Sequence, residues 1–597
     1  MAWALTGPIG ARVRQKLAAR HAAPGGPRST ATKRQILHDC VGDLAPGSFS
    51  LLLAAPGHGK STLLRAVAGH LPASVLTGDS VRYNGLTGPA LAAAGVHLNS
   101  LAQYVDQLDM HMAFLTVRET VAFASELSTV DPLVMGHPLL VEAARKRVDS
   151  VLRLLHLESC QNTLLGNAIV RGVSGGERKR VTVAEVLVGA SRVLCLDEIS
   201  TGLDASVTYD ICASIRAWCT AMHGTVVVAL QQPTPEVYNL FDEIILLRDG
   251  ATVYHGPRND VPSYITSLGF QLPAQGGADI ADYLLEFLNS PAQVLSKQTA
   301  AKSDSHAPRS TAALVTAWSE YRKAHGGVSA ALTTGVVLES EFAKRQYGRA
   351  YPRSAASAFR TLLQRAYTLF WRNKFILFTR VSASCINSTI LGLTWLQLTL
   401  AQGEAKLGLF VFSLAQITFA SFPVITSVSE SKPVGFKHIR SGMYPAWAFT
   451  LSTALADLPV AGLETALYTL ILYFATGLAL DAGRFFFYYL VVFCVDVAVG
   501  SLFRTIAYVS PSTEAASAAS APFIGLQLVF AGFLVAPRDM GTHSWLIWIY
   551  YTSVFAWGAR SLAHNEFKAP EYSIYPAANQ VAAATLISNG QVRARSR

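Results

Sequence analysis

Two patterns of apolar and polar positions divide this chain. From about residue 35 to 290, short β-rich apolar runs alternate with helical stretches, and charges of both signs are mixed among them. That alternation predicts an α/β domain over 35–287. From Leu288 the composition turns to Ser, Ala, Thr and Lys with little periodicity, as in Ser303-Asp304-Ser305-His306-Ala307-Pro308. This stretch, 288–354, reads as a linker with one short helix around Trp318 and Tyr321. Phe359–Lys374 is amphipathic and basic, which predicts a connecting helix lying on a membrane surface within 355–380.

Beyond it charge nearly vanishes. Val381–Leu400 and Leu407–Val428 hold no charged residue, and each is long enough to cross ~30 Å of hydrocarbon as a helix. Further spans are expected at Trp447–Leu478, Phe485–Ile506 and Ala515–Ala536. Ser544–Ala559 is uncharged but short and rich in Trp and Tyr, which suits a re-entrant or interfacial segment. The all-α membrane domain therefore covers 381–567 with about five spans, and a tail follows over 568–597. Basic residues precede the first span and fill the loop expected after the second (Lys432, Lys437, Arg440). By the positive-inside rule the α/β domain is cytosolic.

Composition agrees. Of 597 residues, 51% are hydrophobic and 15% charged, against roughly 25% charged in soluble proteins. Mean hydropathy is +0.31. Disorder, collagen and a small disulfide scaffold are excluded. The net charge is 49 − 39 = +10, and seven basic residues with no acidic one lie between Met1 and His38. A nucleic-acid arm or a transit peptide reads that way too, but a plain cytosolic tail over 1–34 is the expectation. No apolar core follows Met1, so signal-peptide cleavage is not expected. The seven cysteines show no Cys-x-x-Cys and no histidines at zinc spacing, and read as reduced small hydrophobes.

The chemistry begins at Ser50-Leu51-Leu52-Leu53-Ala54-Ala55-Pro56-Gly57-His58-Gly59-Lys60-Ser61-Thr62. An apolar strand feeds a glycine-containing loop that opens a helix, the context of a phosphate-binding P-loop. Backbone N–H groups of Gly57, His58, Gly59, Lys60, Ser61 and Thr62 would cradle phosphates. Lys60 would neutralise the β/γ-phosphates and Ser61 would ligate Mg²⁺. Ala54 stands where the motif usually has its first glycine. A second apolar strand, Val193–Leu196, ends in Asp197-Glu198. Beside a P-loop these carboxylates suit water-mediated metal binding (Asp197) and a base for the attacking water (Glu198). Between them, Ser174-Gly175-Gly176 opens a basic helix, a second anion-binding N-terminus.

The order of these runs resembles an ATP-binding cassette, whose signature helix caps ATP held by an opposing cassette. Gln107 in Val105-Asp106-Gln107-Leu108-Asp109 resembles the Q-loop, a metal and catalytic contact, and Ser200-Thr201-Gly202-Leu203-Asp204 the D-loop. Leu115–Thr120, Asp197–Asp204, Met443–Ala448 and His564–Phe567 are similar to the G subfamily, pleiotropic drug resistance type. The resemblance covers Ile36 to Phe567. It implies an α/β cassette followed by an all-α membrane domain, a G-type (type-2) exporter. It also implies ATP and Mg²⁺, a second cassette-plus-membrane half (identical or different) and amphipathic small molecules or lipids as substrates. The plasma membrane is the expected site and nucleic acid is not an expected partner. One departure stands out: Gln231 lies where a complete site carries a histidine on the γ-phosphate. Glutamine donates a hydrogen bond but cannot become a cation, so binding should survive and hydrolysis slow.

Asp457, Glu464 and Asp496 fall inside expected spans, where each ionisable group costs roughly 2.5–3.5 kcal/mol. One reading is a substrate or relay site. The other places Asp457 at a helix break before Leu458-Pro459 and turns the others to a protein interface. The rival to an exporter is a transport-inactive regulatory subunit. A soluble cassette acting on ribosomes or DNA is contradicted by the apolar spans. Five spans leave the C-terminus outside although Arg593, Arg595 and Arg597 resist translocation, so a half one span short, with more sequence downstream in an intact relative, is expected.

Overall fold

The structure is a computed structural model. It describes residues 35–574 apart from 39, 73–74, 76–80, 131–137, 273–278, 298–306, 325–340 and 535–546. The basic tail 1–34 and the arginines near the C-terminus lie outside the described residues.

Eight strands are described: β1 (Phe49–Leu53), the hairpin β2 (Arg82–Tyr83) and β3 (Leu86–Thr87), β4 (Ala102–Val105), β5 (Val193–Asp197), β6 (Thr225–Ala229), β7 (Glu243–Arg248) and β8 (Ala251–Pro257). Six of them form one sheet in the order β4-β5-β6-β1-β7-β8, parallel except for β8. Strands covered on both faces read as unbroken apolar runs, and all five residues of β1 are buried. Four helices flank the chemistry: α1 (Lys60–Val67), α2 (Val117–Ser128), α3 (Gly175–Leu187) and α4 (Ala205–Met222). Thr116 and Glu119 close a reciprocal capping box that starts α2, and Ser174 and Glu177 do the same for α3.

The expected linker helix is α5 (Thr311–Ala324), and it docks on the cassette domain. Trp318 is buried against Tyr254 and Tyr264, with ring centroids 5.1 and 5.7 Å away. Helix α6 (Ala355–Arg372) carries the amphipathic stretch. Its apolar face meets protein: the Arg365 guanidinium is buried 3.9 Å over the Phe123 ring of α2. A surface helix was expected because amphipathicity alone does not say which apolar surface covers the stripe.

The membrane helices are α7 (Lys374–Thr394), α8 (Gly403–Ala420), α9 (Pro423–Arg440), α10 (Ala446–Thr476), α11 (Ala482–Val509), α12 (Thr513–Val529) and α13 (Val554–Phe567). Among the described residues, four segments are long and apolar enough to cross a membrane, and they correspond to the first four expected spans. The fifth, Ala515–Ala536, overlaps α12, which begins two residues earlier, and its last two residues lie outside those described. The second span differs from expectation. Helices α8 and α9 run nearly end to end over Gly403–Arg440, so Lys432, Lys437 and Arg440 lie on helix rather than in a loop. Pro423 at the first turn of α9 permits the continuation, because an N–H there has no helical partner to lose. Helix α10 runs through Pro459 without ending, so Asp457 is not at a helix break. Within Ser544–Ala559, the described part forms a short helix over Ile547–Thr552 and then α13, which buries Phe555, Ala559 and Leu562 against α8 and α11. Lys406, at the start of α8, is fully buried with Nζ 2.8 Å from Glu566 Oε1 and 2.6 Å from the Tyr572 hydroxyl.

Cassette and membrane domain meet through charge. Arg372 at the end of α6 grips both oxygens of Glu119 at 2.6 and 2.7 Å and donates to the Phe114 carbonyl at 3.1 Å. Its hydrogen bonds hold the Glu119 carboxyl below the ordinary carboxylate range against the opposing pull of partial burial. Both side chains are more than a third exposed, so the pair contributes about 0.5–1 kcal/mol. That contribution is present above the ordinary value of ~4.3 and is lost as pH falls through the depressed one. Arg372→Ala is expected to lower the melting midpoint by about 1–2 °C at neutral pH. Scanning calorimetry should find that difference shrinking between about pH 5 and pH 3, and a constant difference would refute the ion-pair account.

Candidate functional site at the carboxyl edge of the sheet

Strands β5, β6 and β1 are parallel neighbours, so their carboxyl ends lie side by side about 4.8 Å apart. Three segments distant in sequence thereby share one edge: the loop after Leu53, Asp197-Glu198, and Gln231. The loop turns at Gly57 and Gly59, with φ of 83° and 96°, a region open to glycine at no steric cost. Ala54 is not among the left-handed residues, which explains why alanine serves there. Its carbonyl accepts a hydrogen bond from Lys60 Nζ at 3.0 Å. Gly59 is the N-cap of α1 and brings no capping side chain, which leaves the first-turn N–H groups open to an anion. Ser61 and Thr62 sit half-buried in that turn. His58 faces the β7–β8 turn: its Nδ1 accepts from the Asp249 N–H at 3.1 Å, so its part at the loop is that of backbone.

Glu198 has φ of 48°, a left-handed conformation unusual for a side-chain-bearing residue. Its two oxygens are both held. Lys60 Nζ lies 3.3 Å from Oε1, and Gln231 Nε2 donates to Oε2 at 2.7 Å. Asp197 is buried, with Oδ2 accepting from the Tyr104 hydroxyl at 2.7 Å and Oδ1 without a partner among the described residues. A buried carboxylate oxygen with an unmet valence is the kind of hard donor that Mg²⁺ or its water shell takes. Burial, reinforced by the Asp197 bond, pushes the Tyr104 phenol well above its ordinary value, so it remains a donor.

The expected residues do not all converge. Gln107 follows β4 and is exposed, with Nε2 3.5 Å from the Thr201 hydroxyl of the D-loop-like segment. Ser174 and Gly175 are exposed, and Gly176 is half-buried beside Val207. The Ser174 hydroxyl is engaged with Glu177 at 2.9 Å, so this N-terminus is an exposed, capped turn.

Sequence reading missed Tyr104 and one face of α3. Lys179, Thr182 and Glu185 recur at helical spacing and grip the segment after β4. Lys179 donates to the Gln107 carbonyl at 2.7 Å and Thr182 to Asp109 at 2.6 Å, and His111 Nδ1 lies 3.5 Å from Glu185. From the membrane side, Lys437 of α9 pairs with Glu185 and donates to the Met110 carbonyl at 2.9 Å. His438 Nε2 lies 3.4 Å from the other Glu185 oxygen. Burial alone would push the Glu185 carboxyl up, but Lys437 and the two imidazoles hold it well below its ordinary value. Polar residues at three-residue spacing on an otherwise buried helix were the available signal.

A parallel sheet with a P-loop at its carboxyl edge, followed by a helical membrane domain, is the architecture of an ABC transporter chain. The family model described as ABC transporter matches residues 37–201, and that described as ABC-2 type transporter matches 357–567. A further ABC-2 type transporter model matches 231–307. The chain carries both domains of an ABC transporter and has homologues in the G family of ABC transporters, including the pleiotropic drug resistance type. ABC transporter G family member 31 of Arabidopsis thaliana is 32% identical over 572 residues, covering 90% of this chain and 39% of the relative. ABC transporter G family member 47 of Oryza sativa subsp. japonica is 33% identical over 579 residues, with 90% and 39% covered. Pleiotropic drug resistance protein 1 of Petunia hybrida is 30% identical over 577 residues, with 91% and 38% covered. The chain thus spans about two-fifths of the length of these relatives.

Tyr104→Phe tests the metal edge. Losing one hydrogen bond to a buried carboxylate removes about 1.5–3 kcal/mol, so Mg²⁺-dependent nucleotide binding should weaken roughly ten- to hundredfold. Titration of a fluorescent nucleotide with and without Mg²⁺ measures this. Equal weakening in both conditions would place the defect in the fold rather than at the metal.

Proposed function

We propose that this chain is an ATP-hydrolysing half of a membrane exporter. The observation that carries the reading is the gathering of Lys60, Asp197, Glu198 and Gln231 on one sheet edge, with Asp197 Oδ1 free of protein partners among the described residues. The N–H groups of Gly57 to Thr62 cradle the phosphates, and Lys60 turns from Glu198 to the β/γ-phosphates. Ser61, Gln107 and Asp197 (through water) would hold Mg²⁺, which neutralises charge developing on the transferred phosphoryl group. Glu198 orients and deprotonates the attacking water, while the Gln231 amide competes for the same carboxylate.

The turn at Ser174, Gly175 and Gly176 caps ATP held by a second cassette-plus-membrane half, identical or different. ATP-driven closure of the two cassettes switches the membrane domain between cytosol-open and outward-open arrangements. Amphipathic small molecules or lipids are the substrate class, in line with the name of the Petunia relative, and the plasma membrane is the site of action. A second reading, a transport-inactive regulatory subunit, is favoured by one observation: Gln231 ties up Glu198.

Lys60→Ala and Glu198→Gln are each expected to lower ATP turnover of the lipid-reconstituted chain at least about a hundredfold, with nucleotide retained only in Glu198→Gln. Wild-type rates in Glu198→Gln would sink the assignment of the base. Gln231→His should raise turnover several-fold if the missing γ-phosphate contact limits the rate. An unchanged rate, with or without a partner half, would favour the regulatory reading instead.

A further inference from the structure

Helices α7, α10 and α11 and the Ser421 corner between α8 and α9 bury a charge cluster that the nucleotide site does not use. Arg380 of α7 donates from Nε to Glu464 Oε2 at 2.9 Å, and its Nη2 lies 2.8 Å from the same oxygen. Arg380 Nη1 donates to Asp457 Oδ1 at 2.5 Å, and Arg504 of α11 takes the other Asp457 oxygen. Asp496, about two turns before Arg504, accepts only from the Ser421 hydroxyl among the described residues. Arg380, Glu464 and Asp496 are each 3% exposed or less.

Two guanidiniums therefore face three carboxyls. Arginine keeps its charge at any pH the protein meets, so three ionised carboxyls would leave a net negative charge inside the membrane domain. The surplus has a visible mark: Glu464 Oε1 is buried without a partner among the described residues. A cavity of about 10 Å³, room for one water, opens against Asp496, Asp457, Ser421, Arg380 and Arg504.

We propose that this cluster is a proton-binding site of the membrane domain, with the proton on Asp496 while the helices are packed together. The assignment follows from the partners. Asp457 sits between two guanidiniums and Glu464 takes two nitrogens of Arg380, whereas no cationic side chain pairs with Asp496 among the described residues. The charged groups around Asp496 are Arg380 from α7, Asp457 and Glu464 from α10, and Arg504 from its own helix; Ser421 and Val424 face it uncharged. Two positive and two negative charges cancel, so nothing there favours an anion over a neutral carboxyl. Protonated, Asp496 still shares a hydrogen bond with Ser421. The proton goes to water when the helices part and water reaches the carboxyl. The packed arrangement then binds one more proton than the open one, so rising pH favours opening. This goes beyond the ATPase reading and stands without it.

The test uses the full chain in lipid nanodiscs, followed by infrared difference spectroscopy of the protonated-carboxyl C=O band and by thermal unfolding. The wild type should show that band at neutral pH, shifted in D₂O and lost as pH rises, and its melting temperature should fall over the same range. Asp496→Asn, which exchanges one neutral group for another, should lose the band and the pH dependence while its neutral-pH midpoint moves by no more than about 2 °C. Asp457→Asn, which strips two guanidiniums of their shared partner and leaves two carboxyls to balance them, should melt several degrees lower and lose the band as Asp496 ionises. Absence of the band from the wild type would overturn the proton site. Survival of the band in Asp496→Asn with loss in Glu464→Gln would overturn its placement, as would an Asp496→Asn as unstable as Asp457→Asn.

Discussion

A charge withdrawn from water needs a partner of opposite sign, because an unpaired ion inside a protein costs several kcal/mol. That constraint organises this molecule at three depths. At the start of α8, Lys406 is matched by Glu566 and Tyr572, which fixes α13 against α8. In the membrane interior, Arg380 and Arg504 tie α7, α10 and α11 together through Asp457 and Glu464. At the cassette end, Glu185 receives Lys437 from α9. Lipid tails are as apolar as leucine, so burying leucine drives helices together weakly there, and such pairs specify which helices meet. Removing Lys406 would leave Glu566 without its cation, and removing Asp457 would cost two guanidiniums their shared partner.

The Glu185 pair also joins the two domains mechanically. Helix α3 begins at Ser174, beside the expected ATP interface, and carries Lys179, Thr182 and Glu185 along one face. That face holds the segment Gln107–His111, and Lys437 holds it from the other side. Gln107 and α9 are therefore joined by a few hydrogen bonds rather than by a long loop. The Arg372–Glu119 pair is a second, more exposed link, and its glutamate also closes the capping box that starts α2. A helix start and a domain contact thus depend on one carboxylate.

Much of this was legible in the sequence. The strand–loop–helix run at Ser50–Thr62 and the strand ending in Asp197-Glu198 carry their chemistry in short local patterns, which backbone geometry alone makes meaningful. The departure at Ala54 was readable as harmless, and its non-left-handed backbone gives the reason. The first four spans were readable from length and hydropathy, since a helix that crosses lipid must satisfy every backbone group internally. The continuity of α8 with α9 was not, because Ser421-Phe422-Pro423 permits either a turn or a continued helix and packing decides between them.

What the sequence by itself determined is therefore local: a phosphate loop, two strand-end carboxylates, apolar stretches long enough to span, and ionisable residues inside them. What only the tertiary structure decided is who meets whom. Periodicity cannot show that Gln231 donates to Glu198, that Tyr104 holds Asp197, or that Lys406 reaches Glu566. Nor can it show that Arg380 gathers Asp457 and Glu464 while Asp496 is left with a hydroxyl. Each depends on strand order or helix packing across long stretches of chain, and a charge's partner is set by distance in space, where the Coulomb term acts, rather than by spacing along the backbone.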